Sequence, residues 1–142
     1  MRVKPMLLKA LLFLSVIIST GCATTPTATP QVVASMMTNG ESLSKGKRIS
    51  VQSFTSQDFV VNLIDFKWEA VTENGGSHLV EWRWYQNDKL LSRSAKTLVF
   101  TSTPYTTWTR RAASTLGVGH FRVETLVDGV IAASNDFDIA AQ

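Results

Sequence analysis

The sequence predicts an all-β domain in which antiparallel strands pack as a sandwich. From Arg48 to Ile139, apolar and polar side chains alternate with a period of two, which is typical of strands that bury one face. Gly, Asn, Asp and Pro interrupt this alternation at the short intervals expected of antiparallel sheets. No stretch of the domain has the 3.6-residue period of a helix, so we expect strands alone to form the core.

Two strands are predicted before the first glycine-rich turn. The first begins at Ile49 and Val51 and ends in a polar turn at residues 55–58. The second and longest runs from Phe59 to Val71, and its buried face is formed by Ile64, Phe66, Trp68 and Ala70. Residues 74–76, Asn-Gly-Gly, tolerate positive φ and therefore predict a hairpin into the third strand.

The third strand, from His78 to Tyr85, carries the largest apolar side chains on one face. Val80, Trp82 and Trp84 share that face, whereas the charged side chains lie on the other. Each aromatic side chain buries about 150 to 250 Å² on folding. We therefore expect burial of the two Trp side chains of this strand to contribute strongly to stability.

The second half of the domain supplies the remaining strands. A turn at 86–88 leads into a strand from Lys89 to Arg93, a short strand covers residues 98–100, and a further strand runs from Tyr105 to Ala112. A loop at 116–119 precedes the clearest hairpin, whose two-residue turn, Asp128-Gly129, is of the I′ type. The buried faces of its two strands are predicted to be Phe121, Val123, Thr125 and Val127, and Ile131, Ala133, Phe137 and Ile139.

The number of predicted strands, seven to eight within residues 48–142, and the regular spacing of the turns between them are typical of an antiparallel immunoglobulin-like sandwich. The disulfide of antibody domains is absent, because Cys22 is the only cysteine. Residues 66–139 also resemble a small, uncharacterised family of bacterial extracytoplasmic β-domains. The resemblance rests on Trp84-Tyr85, Tyr105 to Trp108, Gly117 to Val123, Asp128-Gly129 and Phe137 to Ile139. It implies the fold and no particular function.

The N-terminus has the three parts of a secretory signal peptide. Arg2, Lys4 and Lys9 precede an uncharged run from Ala10 to Ile18, and small residues follow. The run is shorter than the roughly 20 apolar residues that span a bilayer. The small residues before Cys22 resemble the lipobox of bacterial lipoproteins, although Ser19 stands where that family usually has Leu.

This resemblance implies cleavage before Cys22, acylation of its thiol and attachment to a membrane through the lipid. Ala23 after the cysteine implies the outer membrane, with the domain facing the periplasm; the inner membrane and the soluble periplasm are alternatives. Ordinary signal peptidase, which also accepts Ser19 and Gly21, would release a soluble periplasmic protein instead. The sequence thus divides into a signal peptide (1–21), a lipidated Thr/Pro-rich tether (22–47) and a β-sandwich (48–142). Within the tether, the apolar cluster at 32–37 is interpreted as a short edge strand or a helical turn.

Processing changes the charge balance. Removing Arg2, Lys4 and Lys9 from the 14 basic residues leaves 11, against 11 acidic residues that all lie downstream. A mature chain with a net charge near zero gives no reason to expect nucleic acid as a partner.

The sequence favours a binding role over catalysis. The two histidines, His78 and His120, lie far apart without a short-spaced ligand pair, so no metal, other cofactor or enzymatic activity is predicted. A hydrolase would require one of them beside a serine or carboxylate in a cleft. The candidate binding residues are aromatic side chains near strand ends and the arginines beside them: Trp84, Tyr85, Tyr105, Trp108, Arg110 and Arg111.

Two partners fit these residues. The first hypothesis is a non-catalytic accessory module that binds another envelope protein. The second is a glycan-binding module for peptidoglycan or polysaccharide, which requires two exposed coplanar aromatic rings. If the protein is not anchored, a soluble periplasmic ligand-binding protein is the alternative.

Overall fold

The computed structural model describes residues 28–69 and 74–141 and contains eight strands and two short helices. The predicted signal peptide and Cys22 lie outside these residues. The strands are β1 Gln31–Asn39, β2 Ser53–Thr55, β3 Phe59–Lys67, β4 Gly76–Gln86, β5 Lys89–Phe100, β6 Tyr105–Ala112, β7 Gly119–Val127 and β8 Val130–Ala140; the helices are α1 Gly40–Ser44 and α2 Ala113–Leu116. Neither helix within the described residues is long and apolar enough to cross a membrane.

The strands form two sheets of unequal width. One has three strands in the order β1-β3-β6, and the other has five in the order β2-β8-β7-β4-β5. All pairs are antiparallel except β2 with β8, which is parallel. The predicted all-β sandwich of seven to eight strands is therefore confirmed.

The core lies between the two sheets and matches the predicted alternation on the central strands. Val80, Trp82 and Trp84 of β4 are buried, as are Phe121 and Val123 of β7. Most aromatic pairs in this layer pack edge to face, for example Trp84 with Phe137 at 5.9 Å between ring centroids, whereas Phe121 and Phe137 are stacked. The Asp128-Gly129 turn has positive φ at both residues, which confirms the I′ type.

The connection between β3 and β4 differs from the prediction. These strands belong to different sheets, so residues 74–76 end a crossing between sheets and do not form a hairpin. A Cβ atom on Gly75 would lie 2.7 Å from the Trp68 ring, which explains why a glycine stands there. Strand β3 ends at Lys67, before the predicted end at Val71, and Ala70 and Val71 lie outside the described residues.

Three strand boundaries also need correction, and two short helices were not predicted. The sandwich begins at β1, within the predicted tether, because 31–39 pair with β3 as the edge strand that was one interpretation of this cluster. Residues 49–52 form no strand, and β2 begins at Ser53. The two strands predicted at 89–93 and 98–100 are one continuous strand, β5. Two helical turns were missed, α1 and α2, since each is too short to show a helical period.

One predicted face is wrong because of a bulge. The register of β7 with β8 shifts between Thr125 and Leu126, which leaves Ala132 without a partner. Because Ala132 is an extra residue in β8, the side chains before it lie on the opposite face from that expected by simple alternation. Ile131 is therefore exposed beside Leu126, whereas Ala133, Phe137 and Ile139 face inward as predicted.

Candidate functional site

The six candidate residues do not form a single surface. Trp84 is 1% exposed and lies in the core, where no ligand on the surface can reach it. Arg111 covers it, with the guanidinium carbon 5.6 Å from the indole centroid. Tyr105 packs on the buried Phe100 at 4.8 Å between ring centroids. These three residues belong to the packing of the domain.

Tyr85 lies on the outer face of the five-stranded sheet. The guanidinium of Arg122 sits 4.8 Å from the centre of its ring, and the same arginine donates a 2.8 Å hydrogen bond to Asp88. Glu124 lies 3.2 Å from Arg122 on the other side. Tyr85 is thus held within a network of charged side chains on this face.

Trp108 and Arg110 lie on the outer face of the other sheet, as the period of β6 predicts. Trp108 is 50% exposed and Phe59 of β3 is 48% exposed. The guanidinium carbon of Arg110 lies 5.2 Å from the Phe59 ring and 5.8 Å from the Trp108 ring, which places a cation between two aromatic rings. We call Phe59, Leu63, Trp108 and Arg110 the Trp108 face.

The floor of the Trp108 face is apolar, which is unusual for the outer side of a sheet. Leu63, opposite Trp108 in the register, is only 3% exposed although it points away from the core of the sandwich. Val61, opposite Arg110, is also buried. The larger side chains of β6 and β3 therefore cover a second, thin apolar layer outside the main core. Sequence reasoning missed Phe59 here, because only the pairing of β3 with β6 brings it to Arg110.

A polar boundary closes one end of the Trp108 face. Asp65 accepts a 2.6 Å hydrogen bond from the Thr106 hydroxyl and pairs with the guanidinium of Arg48. At the other end, Gly40 packs closely against Phe59. A Cβ atom built on Gly40 would lie only 3.1 Å from the Cβ of Phe59. An apolar centre with a polar rim is the usual organisation of a protein interface.

The two aromatic rings required for a glycan platform are not brought together. Tyr85 and Trp108 lie on the outer faces of opposite sheets, whereas Trp84 and Tyr105 face the interior. No pair among the four presents two exposed rings side by side. These four residues therefore do not form the two-ring platform that was predicted for glycan stacking.

Both histidines have carboxylate partners. His78 Nδ1 lies 2.6 Å from Asp128 and its Nε2 lies 2.9 Å from the Gly75 carbonyl oxygen, so both ring nitrogens are occupied. His120 Nδ1 lies 2.8 Å from Asp138, and its Nε2 lies 3.6 Å from Asp136. The hydrogen bond to Asp138 raises the pKa of His120 above its usual value.

Two small cavities lie away from the Trp108 face. One of about 340 Å³ lies beside His120 and is lined by Asn87, Asp88, Phe121, Arg122 and Asp136. The other, about 320 Å³, lies between β1 and β8 and is lined mainly by serine, asparagine and glutamine side chains. Within residues 28–69 and 74–141, no three His, Cys, Asp or Glu side chains are arranged to hold a metal ion.

Comparison with known proteins supports the architecture and nothing narrower. No protein-family model matches the chain, and no curated protein matches it in sequence. Among solved structures it is similar to an immunoglobulin-like protein from Pseudomonas aeruginosa, with a TM-score of 0.55 and 10% sequence identity. The match covers 82% of this chain and 100% of that one. The fold is immunoglobulin-like. At this level of identity, the similarity carries no function from one protein to the other.

Proposed function

We propose that this protein is a non-catalytic binding module, anchored to the outer membrane by a lipid on Cys22, that holds a protein partner of the cell envelope. The observation that carries the proposal is the Trp108 face, where two half-exposed aromatic rings flank an arginine over an apolar floor. Trp and Arg are the residues most enriched at the energetic centres of protein interfaces.

Three features of the Trp108 face support binding. The rings are rigid and already held by Arg110, so little side-chain entropy is lost when a partner covers them. Arg110 has no carboxylate within 4 Å among the described residues, so its charge is available to a partner. The face lies on a sheet and not on a loop, which fixes the relative positions of its side chains.

A matched pair of substitutions tests this proposal. Trp108→Ala removes the centre of the face, whereas Leu79→Ala removes a side chain of similar exposure, 46%, from the outer face of the opposite sheet. The measurement is the amount of partner that co-purifies with each variant after reversible cross-linking in cells. We expect Trp108→Ala to weaken the complex by roughly 30-fold, corresponding to a hot-spot loss of about 2 kcal/mol. Equal recovery of the partner with both variants contradicts the proposal.

A further inference from the structure

The two long sides of the sandwich are built differently. On one side, segment 49–52 joins the sheets: the Val51 amide donates to the Met37 carbonyl of the three-stranded sheet, and the Gln52 carbonyl accepts from Asp138 of the other. The Asn135 side chain also donates to the hydroxyl of Ser35. On the opposite side, formed by β5 and β6, the described residues include one side-chain hydrogen bond between these strands, and it is long, 3.5 Å between Arg111 and Ser92. We call this second side the open edge.

Strand β5 projects beyond the narrower sheet along the open edge. Ser92, Ser94 and Lys96 lie opposite Trp84, Trp82 and Val80 in the register, so they share the inward face. Inward positions of a covered strand are apolar, as Leu98 and Phe100 are at the far end of β5. Polar residues at the other three positions indicate that the three-stranded sheet does not cover this half of β5. As the last strand of its sheet, β5 also has a backbone edge without a strand partner among the described residues.

The open edge carries positive charge without any negative charge. No Asp or Glu occurs from Lys89 to Val123. Five of the 11 basic residues downstream of the predicted cleavage site lie on β5 and β6: Lys89, Arg93, Lys96, Arg110 and Arg111. Within the described residues, the nearest carboxylate to any of them is Glu81, 4.0 Å from Arg93. The residues downstream of the predicted cleavage site include equal numbers of basic and acidic side chains, yet this edge carries basic ones alone.

We propose that β5 accepts an extended acidic segment of the partner protein, which adds to the sheet as a ninth strand. The inference rests on the proposed binding role and names the chemistry of the partner. Backbone hydrogen bonds to the free edge would hold the segment, and carboxylates on alternate faces would lie beside Arg93 on the outer face and Lys96 on the inner face.

A second copy of this chain does not fit the same edge. Pairing β5 with another β5 brings together two strands of the same charge, because each has three basic residues and no acidic one. Like charges on facing strands are destabilising. The charge pattern therefore disfavours pairing between copies and favours a strand of opposite charge.

The test uses the protein as purified from the cells that produce it, in neutral detergent. The probe is a synthetic peptide of about ten residues in which Glu recurs at every third position among Val and Thr, so that successive carboxylates lie on opposite faces of the extended chain. Binding is measured by titration, and hydrogen exchange of the β5 amides is measured with and without peptide. We expect the peptide to bind and to slow exchange within β5. Arg93→Glu with Lys96→Glu should raise the Kd roughly tenfold or more.

Three controls make the outcome decisive. Lys47→Glu with Lys67→Glu changes the net charge equally, but at exposed positions away from the open edge, and should leave the Kd unchanged. A peptide with alternate N-methyl groups keeps its carboxylates but cannot pair as a strand. The same peptide with Lys in place of each Glu should not bind.

Several results would overturn the inference. Equal binding of the N-methylated peptide shows electrostatic attraction without strand addition. Binding to vesicles of phosphatidylglycerol and phosphatidylethanolamine, but not to the acidic peptide, assigns the edge to a membrane surface. Failure of the peptide to bind also overturns it. If cross-linking in cells still finds a partner at the Trp108 face, this inference fails alone and the proposed function stands.

Discussion

At the scale of single residues, Arg110 determines the shape of the Trp108 face. Its guanidinium lies within 6 Å of the centres of two rings that come from different strands. Both rings are about half exposed, whereas Leu63 between β3 and β6 is buried. An arginine between two rings also leaves N–H donors free at the surface, since guanidinium has five of them.

Asp128 gives a pH-dependent contribution that can be measured. The hydrogen bond from His78, with a second from the Leu79 amide, lowers the pKa of the Asp128 carboxyl. A carboxyl whose pKa is lowered by folding stabilises the protein above its unfolded pKa of about 3.9, and this contribution is lost as the pH falls through the folded pKa.

Asp128→Asn isolates the contribution of this charge. Asn tolerates the positive φ of the turn and can still accept from Leu79, so the backbone should not change. We expect a loss below about 1 kcal/mol above pH 4, because the carboxylate is half exposed and screened by solvent. The free energies of unfolding of the two proteins, measured with urea, should converge as the pH falls below 4. A difference that grows under acid would show that Asp128 acts in another way.

At the scale of elements, the sheets are joined through a buried polar contact between β3 and β7. The Thr125 hydroxyl donates to the Asn62 side-chain oxygen at 3.2 Å, and both residues are fully buried. In the order of the chain and of the sheets, β3 and β7 correspond to the strands that the disulfide of antibody domains connects. Trp82, which lies opposite Thr125 on β4, takes the place of the tryptophan that packs on that disulfide.

Thr125→Val tests this contact. The substitution keeps the shape but leaves the Asn62 oxygen buried without its donor, so we expect a loss of about 1 to 3 kcal/mol. Adding Asn62→Leu removes the second polar group and should recover part of that loss. Thermal unfolding of the two single variants and the double variant forms a mutant cycle. Strictly additive losses would show that the contact between Asn62 and Thr125 contributes nothing.

The elements that sequence predicted well are those with a single buried face. Val80, Trp82 and Trp84 alternate cleanly because β4 lies between two neighbours and beneath the other sheet. Strand β5 was broken into two pieces because residues 92–97 include only one apolar side chain, Ala95, and so show no period of two. The Ile131 face was wrong because a bulge leaves no mark in the sequence.

The candidate site could be predicted from the sequence only where it depends on the alternation within one strand. The period of β6 correctly put Trp108 and Arg110 on one face, since that information is local. Phe59 and the basic open edge were missed, because they depend on which strands become neighbours. The net charge of the residues downstream of the predicted cleavage site did not indicate the basic open edge, because the acidic residues that balance it lie elsewhere in the chain.

At the scale of the whole molecule, the unequal widths of the sheets give the domain one closed and one open side. The closed side contains β1, the first strand of the sandwich. The open edge lies at the opposite side, with the Trp108 face next to it through β6.

Cys22→Ser tests the proposed anchor. The wild-type protein from the membrane fraction should begin at residue 22 and carry added acyl mass in intact mass spectrometry. The variant should lose both the added mass and its membrane association, because no other thiol is present in the chain. An unacylated wild-type protein in the soluble fraction would instead favour a freely diffusing ligand-binding protein.

The central claim is that the Trp108 face contacts a protein partner in the cell. The most direct measurement places a photoreactive amino acid at position 108 or at position 79, on opposite sheets, and compares the adducts formed on irradiation of intact cells. We predict a discrete adduct of fixed mass from position 108 and none from position 79. The same adducts from both positions, or none from position 108, would contradict the claim.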